Sequence, residues 1–223
     1  MQLFHRLLNF FFPNKCLLCR RLLSDTETDL CHNCRQNAPV FTKAKNRHSF
    51  IARWTAVWYY KDDVRRSMLR YKFYRFRSYA PVYGRFLAMK LQAAGMDEFD
   101  VLTWVPISAL RKLRRGYDQT ELLAKAVAKE LGVSATKCLV KIRHNPAQSG
   151  LKDPARHRAN VLGAYKVLAP ETVRDQRILL IDDILTTGAT VSECAKVLQF
   201  AGAKEVLCAA VAVSPNEKNH TDM

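Results

Sequence analysis

Ile178-Leu179-Leu180-Ile181 is an unbroken apolar run, followed at once by Asp182-Asp183 and then by Ile184-Leu185-Thr186-Thr187-Gly188-Ala189-Thr190. Four consecutive apolar residues suit a strand covered on both faces, as in a parallel sheet between layers of helices. The two carboxylates are expected at the end of that strand. Gly188 then allows a tight turn, and the pattern from Thr190 to Ala201 is helical, with Gly202 as its stop. A helix beginning there points its unpaired backbone N–H groups and the positive end of its dipole at the turn, which favours a bound anion. Thr186, Thr187 and Thr190 add hydroxyl donors. Such a set suits a sugar phosphate, with donors for the phosphate and carboxylates for the neighbouring hydroxyls.

The surrounding sequence extends this pattern. Val101 to Val105 reads as a short strand. Asp118 is placed to cap a helix, with Glu121 three residues on in capping-box spacing. Leu122, Leu123, Ala126, Val127 and Leu131 recur at helical spacing before Gly132. Val206 to Val213 is another apolar strand. Strands alternating with helices over 100–213 predict an α/β domain with a parallel sheet, in which ligands sit beyond the carboxyl ends of the strands. With 223 residues, 48% of them hydrophobic and 25% charged, the chain can bury a full core without disulfides. Wholesale disorder, collagen-like repeats and a disulfide-dense secreted mini-protein are excluded. No internal repeat is visible.

Four of the seven cysteines crowd into Cys16-Leu-Leu-Cys19 and Cys31-His-Asn-Cys34. Two such knuckles can supply four thiolates to one tetrahedral zinc with Zn–S bonds of about 2.3 Å. A structural zinc is expected, with an iron–sulfur cluster as an alternative. A redox-active pair is disfavoured, because no thioredoxin-like unit surrounds either knuckle. Four ligands close the site to catalysis, and His32 reads as a neighbour of the ligands. Cys138, Cys194 and Cys208 lie among apolar residues and are expected to be buried.

The formal net charge is +16, which predicts an anionic partner: nucleic acid, acidic lipid or a heavily phosphorylated small molecule. Residues 43–90 hold thirteen Lys or Arg against Asp62 and Asp63, a local excess of +11. There Tyr71-Lys-Phe-Tyr-Arg-Phe-Arg77 interleaves rings with cations. That suits single-stranded nucleic acid, whose bases stack on rings while cations follow phosphates, with Lys72, Arg75 and Arg77 as candidate contacts. The alternative is that these rings are local core and the cations a solvated face. Arg111, Lys112, Arg114 and Arg115 form a second basic cluster. The apolar stretch Leu7 to Phe12 is broken by Asn9, ended by Pro13 and too short to span a membrane. It also makes a poor signal peptide. A cytoplasmic, reducing location is expected.

The run from Ile178 to Thr190 resembles the 5-phosphoribosyl-1-pyrophosphate (PRPP) motif of type I phosphoribosyltransferases. Val105-Pro106-Ile107-Ser108 followed by Arg115-Gly116-Tyr117-Asp118-Gln119-Thr120-Glu121 resembles the ComF/GntX family of competence-related phosphoribosyltransferase-like proteins. So do Gln148-Ser-Gly-Leu151, Arg156, Asn160 and Gly163-Ala164-Tyr165, and the N-terminal four-cysteine knuckle. The resemblance covers roughly 13–213. It implies a type I phosphoribosyltransferase-like parallel sheet flanked by helices over 43–213. Composition sets off residues 1–42, with the cysteine cluster, as a small zinc-ribbon-like module before it, and the polar run 214–223 as a disordered tail after it.

It also implies roles. Asp182 and Asp183 would bind the ribose hydroxyls, and Thr186, Thr187, Gly188, Ala189 and Thr190 the 5′-phosphate. Val105, Pro106, Ile107 and Ser108 would face the pyrophosphate, with Mg²⁺ bridging pyrophosphate and ribose oxygens. Residues 143–160 would close over the site. Arg111, Arg115 and Arg156 would stabilise the leaving pyrophosphate. PRPP or a related sugar phosphate is thus the expected ligand, and competence proteins, a DNA-uptake helicase among them, are expected partners. Six-oxopurine enzymes of this superfamily carry a basic carboxylate at the position of Thr186, so standard purine salvage is disfavoured. Glutamine-dependent amidotransfer needs an N-terminal cysteine, whereas this sequence begins Met1-Gln2-Leu3. Two readings follow: phosphoribosyl transfer to an unidentified acceptor, or a non-catalytic module that handles single-stranded DNA and keeps a vestigial or regulatory PRPP site.

Overall fold

The computed structural model describes residues 14–42, 48–143 and 161–215. Four strands form one parallel sheet: β1 (Arg53–Tyr59), β2 (Val101–Trp104), β5 (Arg177–Leu185) and β6 (Glu205–Val213), in the order β1-β6-β5-β2. The helices are α1 (His32–Asn37), α2 (Asp62–Phe73), α3 (Tyr79–Ala93), α4 (Ala109–Arg115), α5 (Gln119–Leu131) and α6 (Ala189–Phe200). A two-stranded antiparallel hairpin, β3 (Leu139–Lys141) with β4 (Tyr165–Val167), stands apart from the sheet. The two short hairpin strands carry no strand signal of their own, and within the sheet neither does β1. Its burial follows from the layer of helices laid over it, and its own residues mix Arg53 and Thr55 with Trp54 and Trp58.

The central strands are apolar because both faces are covered. Ile178, Leu179, Leu180 and Ile181 are all fully buried. Leu179 and Ile181 face a core shared with α2, α3 and α5, whereas Ile178 and Leu180 face a core shared with α6 and the hairpin. The connection leaving β2 runs into α5 on the first face and the one leaving β5 into α6 on the second, and that divergence opens a crevice at the carboxyl ends of the two strands. On the first face α3 lies close to α5 at Gly84. A Cβ there would come within 2.6 Å of the Ala126 Cβ, so any larger residue would push the helices apart.

The cysteine-bearing segment shares the first core. Cys16, Leu17, Leu18 and Leu30 pack with Val64, Met68, Tyr71 and Tyr83. The Ser67 hydroxyl donates to the Leu17 carbonyl at 2.6 Å, Arg70 reaches the Leu17 and Leu18 carbonyls, and Arg85 grips both oxygens of Asp29 at 2.6 and 2.7 Å. The division at 42/43 follows composition, while the packing runs across it. Cys138, Cys194 and Cys208 are buried. Among the described residues no helix is long and apolar enough to cross a membrane. The stretch Leu7–Phe12, the tail from 216 onward and most of the expected closing loop (144–160, with Gln148, Arg156 and Asn160) lie outside the described residues.

Candidate functional site

The cleft lies where β2 stops short of β5. Trp104 pairs with Ile181, after which β2 peels away and the Val105 N–H donates to the Ile181 carbonyl at 3.0 Å. β5 continues to Leu185, paired only with β6. Asp182 and Asp183 are therefore inside the strand, not at its end as the sequence alone suggests. Alternation sends them to opposite layers. Asp183 reaches the α2–α5 side, where Lys72 Nζ donates to it at 2.9 Å and Gln119 Nε2 at 3.1 Å. Asp182 faces the side of Lys141, Tyr165 and Cys194, and its Oδ1 accepts from the Asp183 N–H at 2.8 Å. Burial, reinforced by the negative charge of Asp183, pushes the Asp182 carboxyl up to about 8.

Asp118 organises the opposite wall. It caps α5 by accepting from the Thr120 and Glu121 N–H groups at 3.0 and 3.1 Å, as the spacing predicts. Its other oxygen accepts from the Ile107 N–H at 3.2 Å, which fixes the Val105–Ser108 turn. Glu121 does not complete a capping box through its side chain. It pairs instead with Lys112 and Lys125, at 2.9 and 2.8 Å. Ser108 caps α4 through the Arg111 N–H. Arg115 donates to Gln119 Oε1 at 2.8 Å, so Arg115, Gln119, Asp183 and Lys72 form one connected chain.

The resulting cleft has a volume of about 460 Å³. Val105, Pro106 and Ile107 lie on one side, Asp182, Asp183, Thr186 and Thr190 on the other, and Lys72, Arg111, Arg115 and Lys141 around them. Gly188 sits in the left-handed region at φ 75 and begins α6. A Cβ on it would lie 2.1 Å from His48 Nδ1. His48, held against Trp54 with ring centroids 5.1 Å apart, thus backs the turn formed by Thr187, Gly188 and Ala189. No sequence signal marks His48, and Lys141 likewise becomes part of the cleft only through the hairpin.

The candidate nucleic-acid residues divide. Lys72 belongs to the cleft through its ion pair with Asp183. Arg77 lies over the Tyr117 ring at 4.6 Å and donates to the Gly116 carbonyl, and Arg75 borders a neighbouring cavity. The rings divide as well. Tyr71 is core, whereas Phe73 and Tyr74 are 59% and 69% exposed.

The four cysteine sulfurs lie within 4.8 Å of one another, with Cys19 and Cys31 Sγ 3.6 Å apart. A tetrahedral zinc with bonds of about 2.3 Å needs sulfurs about 3.8 Å apart, so this cluster can hold a metal such as zinc. His32 stands outside it.

Residues 119–223 match the family model for the phosphoribosyl transferase domain, in agreement with the parallel sheet and the strand–turn–helix around Asp182–Thr190. The chain is 24% identical over 219 residues to competence protein F of Haemophilus influenzae, covering 88% of this chain and 95% of that one. It is 28% identical over 226 residues to competence protein ComFC of Streptococcus pneumoniae, covering 86% and 96%. It is 31% identical over 119 residues to the DNA utilization protein YhgH of Salmonella typhimurium, about half of each chain (53% and 51%). Among solved structures it resembles glutamine PRPP amidotransferase from B. subtilis, with 21% identity, a TM-score of 0.44, and coverage of 64% of this chain and 30% of that one. Residues 119–223 thus match a phosphoribosyl transferase domain, and the chain is similar over most of its length to competence proteins of two bacteria.

Proposed function

We propose that the cleft binds PRPP with Mg²⁺, and that the protein acts in DNA uptake through this site from the cytoplasm. One observation carries this reading: the Asp182–Asp183 pair and, at the two ends of the next turn, Thr186 and Thr190 line the same cleft as the Val105–Ile107 turn and two arginines. The 5′-phosphate would sit at the start of α6, where N–H groups and hydroxyls converge. The ribose hydroxyls would meet the carboxylates, and the pyrophosphate would face Val105–Ser108, Arg111 and Arg115. Adjacent carboxylates and phosphate oxygens are the hard donors that Mg²⁺ prefers; the ion would neutralise charge on the pyrophosphate. In a transfer reaction the bond from the ribose anomeric carbon to the diphosphate oxygen breaks, and the diphosphate leaves with the electron pair. A bond from the acceptor to that carbon replaces it. The chain's part is to position the reactants and stabilise the leaving group. Thr186 offers no base near neutral pH. The four-cysteine cluster would hold a structural zinc at the head of a 1–42 module, with 43–213 as the transferase-like domain and 214–223 as a tail.

A second reading, single-stranded DNA handling with the sugar-phosphate site as a regulator, is favoured by the exposed Phe73 and Tyr74 amid cations. Competence proteins, a helicase included, would be its partners. Calorimetric titration with PRPP, with and without Mg²⁺, tests the first reading, and Mg²⁺-dependent binding is expected. A parallel titration with single-stranded DNA tests the second.

A further inference from the structure

Beside the cleft lies a second cavity, of about 380 Å³, walled by Lys72, Phe73, Arg75, Arg111, Arg114 and Arg115, with Tyr117 beneath. Lys72, Phe73, Arg111 and Arg115 also border the cleft, so the two spaces adjoin. Arg75 and Arg114 border only the second. Among the described residues no carboxylate lies within ion-pair distance of Arg75, Arg114 or Arg115, whereas Lys112 on the same short helix is paired with Glu121. Cations crowded around one basin repel one another, and a bound anion relieves that repulsion.

Two further features point to a ring as well as a charge. The Arg115 guanidinium lies over one side of Phe73 at 5.0 Å, yet Phe73 remains 59% exposed and no other described ring stacks on it. An exposed ring braced by a cation is a platform for an aromatic base. Arg75 is held in the left-handed region at φ 60, a conformation unfavourable for a non-glycine residue, and its side chain lies on the basin rim. A diphosphate in the cleft needs Arg111 and Arg115; it accounts for neither Arg75, Arg114 nor the ring.

We propose that this basin binds a nucleoside phosphate, an aromatic base with its adjacent phosphate, either as a free nucleotide or as part of a single strand. Phe73 would stack the base, and Arg75 and Arg114 would take the phosphate. The inference deepens the single-strand reading by giving it a location and a recognition unit. It is independent of PRPP binding, because the Thr186–Thr190 turn plays no part.

The test is equilibrium titration of the full chain at low ionic strength without PRPP or Mg²⁺. The probes are thymidine 5′-monophosphate, hexathymidylate with and without a 5′-phosphate, and inorganic pyrophosphate. Binding of at least one nucleotide probe is expected, weakened at least tenfold by Arg75→Gly combined with Arg114→Ala. Arg75→Gly relieves the positive φ, so stability should not fall. Phe73→Ala should weaken the nucleotide probes several-fold and leave pyrophosphate unchanged. Preference for the monophosphate or the 5′-phosphorylated hexamer identifies a terminal phosphate; equal binding of the two hexamers, above the monophosphate, identifies an internal one. Gly188→Ala, in the turn that plays no part in the basin, should weaken PRPP binding without altering these affinities, so a failure of the PRPP reading stays separate. Absence of nucleotide binding overturns the proposal, as does indifference to the arginine substitutions or equal loss of pyrophosphate in Phe73→Ala.

Discussion

The four-cysteine cluster and the carboxylate cleft both gather polar ligands, but they are assembled differently. The cysteines come from positions 16 to 34 and converge through short local turns into a closed set of sulfurs. The cleft draws on α2, the β2–α4 turn, α5 and β5, and its Lys72–Asp183 ion pair joins residues 111 positions apart. A closed local site contributes to folding, whereas an open site assembled from distant elements leaves groups facing a space that a ligand can fill. The cluster is also tied to the cleft, because Tyr71 packs in the core that the cysteine segment shares while its hydroxyl donates to the Gln119 carbonyl at 2.5 Å.

That tie gives the largest expected effect. Structural zinc sites carry about 10 kcal/mol or more of binding free energy. Chelation or Cys31→Ser should therefore lower the melting temperature of the whole chain by more than about 10 °C, as a single transition. Calorimetry showing an early separate transition, with the main one unmoved, would establish the 1–42 segment as an independent module. Metal analysis should return one zinc per chain.

Gly188→Ala should come next. The substitution forces a Cβ into His48 and holds alanine at positive φ. PRPP affinity should fall at least a hundredfold, while the spectrum of the folded chain is retained. Unchanged affinity would separate the phosphate from this turn.

Asp182→Asn with Asp183→Asn should weaken PRPP binding at least tenfold, about 1.4 kcal/mol. A pH dependence accompanies it. Asp182 is raised to about 8 in the folded chain from an ordinary carboxylate value in the unfolded one. Its contribution to stability is thus full below about pH 4 and is lost as pH rises through about 8. Asp182→Asn should flatten that part of the stability curve. Binding that requires the ionised carboxylate should strengthen from pH 6 to 8 and release a proton, a difference readable by titration in buffers of unlike ionisation heat.

The smallest effects concern the basic stretch. If single-stranded DNA is bound there, replacing Lys72, Arg75 and Arg77 by Ala should reduce the log–log salt slope by about 0.7 for each phosphate that is no longer neutralised. Phe73→Ala should change stability by no more than about 0.5 kcal/mol, as for an exposed surface position. A large fall in melting temperature would return Phe73 to the core.

Features encoded within one element or one turn are legible in the residues alone. The apolar run 178–181, the Asp118 cap with its Gly132 stop, the paired cysteine knuckles and the small-residue strand Val206–Val213 each carry their own periodicity or chemistry, so their types can be read without neighbours. Other features exist only once the layers pack. β1 is a strand because β6 pairs with it and helices cover it, which its mixed composition does not announce. That Asp182 and Asp183 face opposite layers of an open cleft depends on β2 ending early while β5 continues beside β6. Tyr71 and Phe73 are two residues apart, yet one is core and the other faces the basin, since burial depends on what packs against α2. Lys72 and Lys141 enter the cleft, and His48 comes to lie behind its turn, only through the approach of segments tens of residues or more than a hundred apart. Local patterns record backbone preference and amphipathicity; the meeting of distant side chains is fixed only by how sheet and helices close on one another.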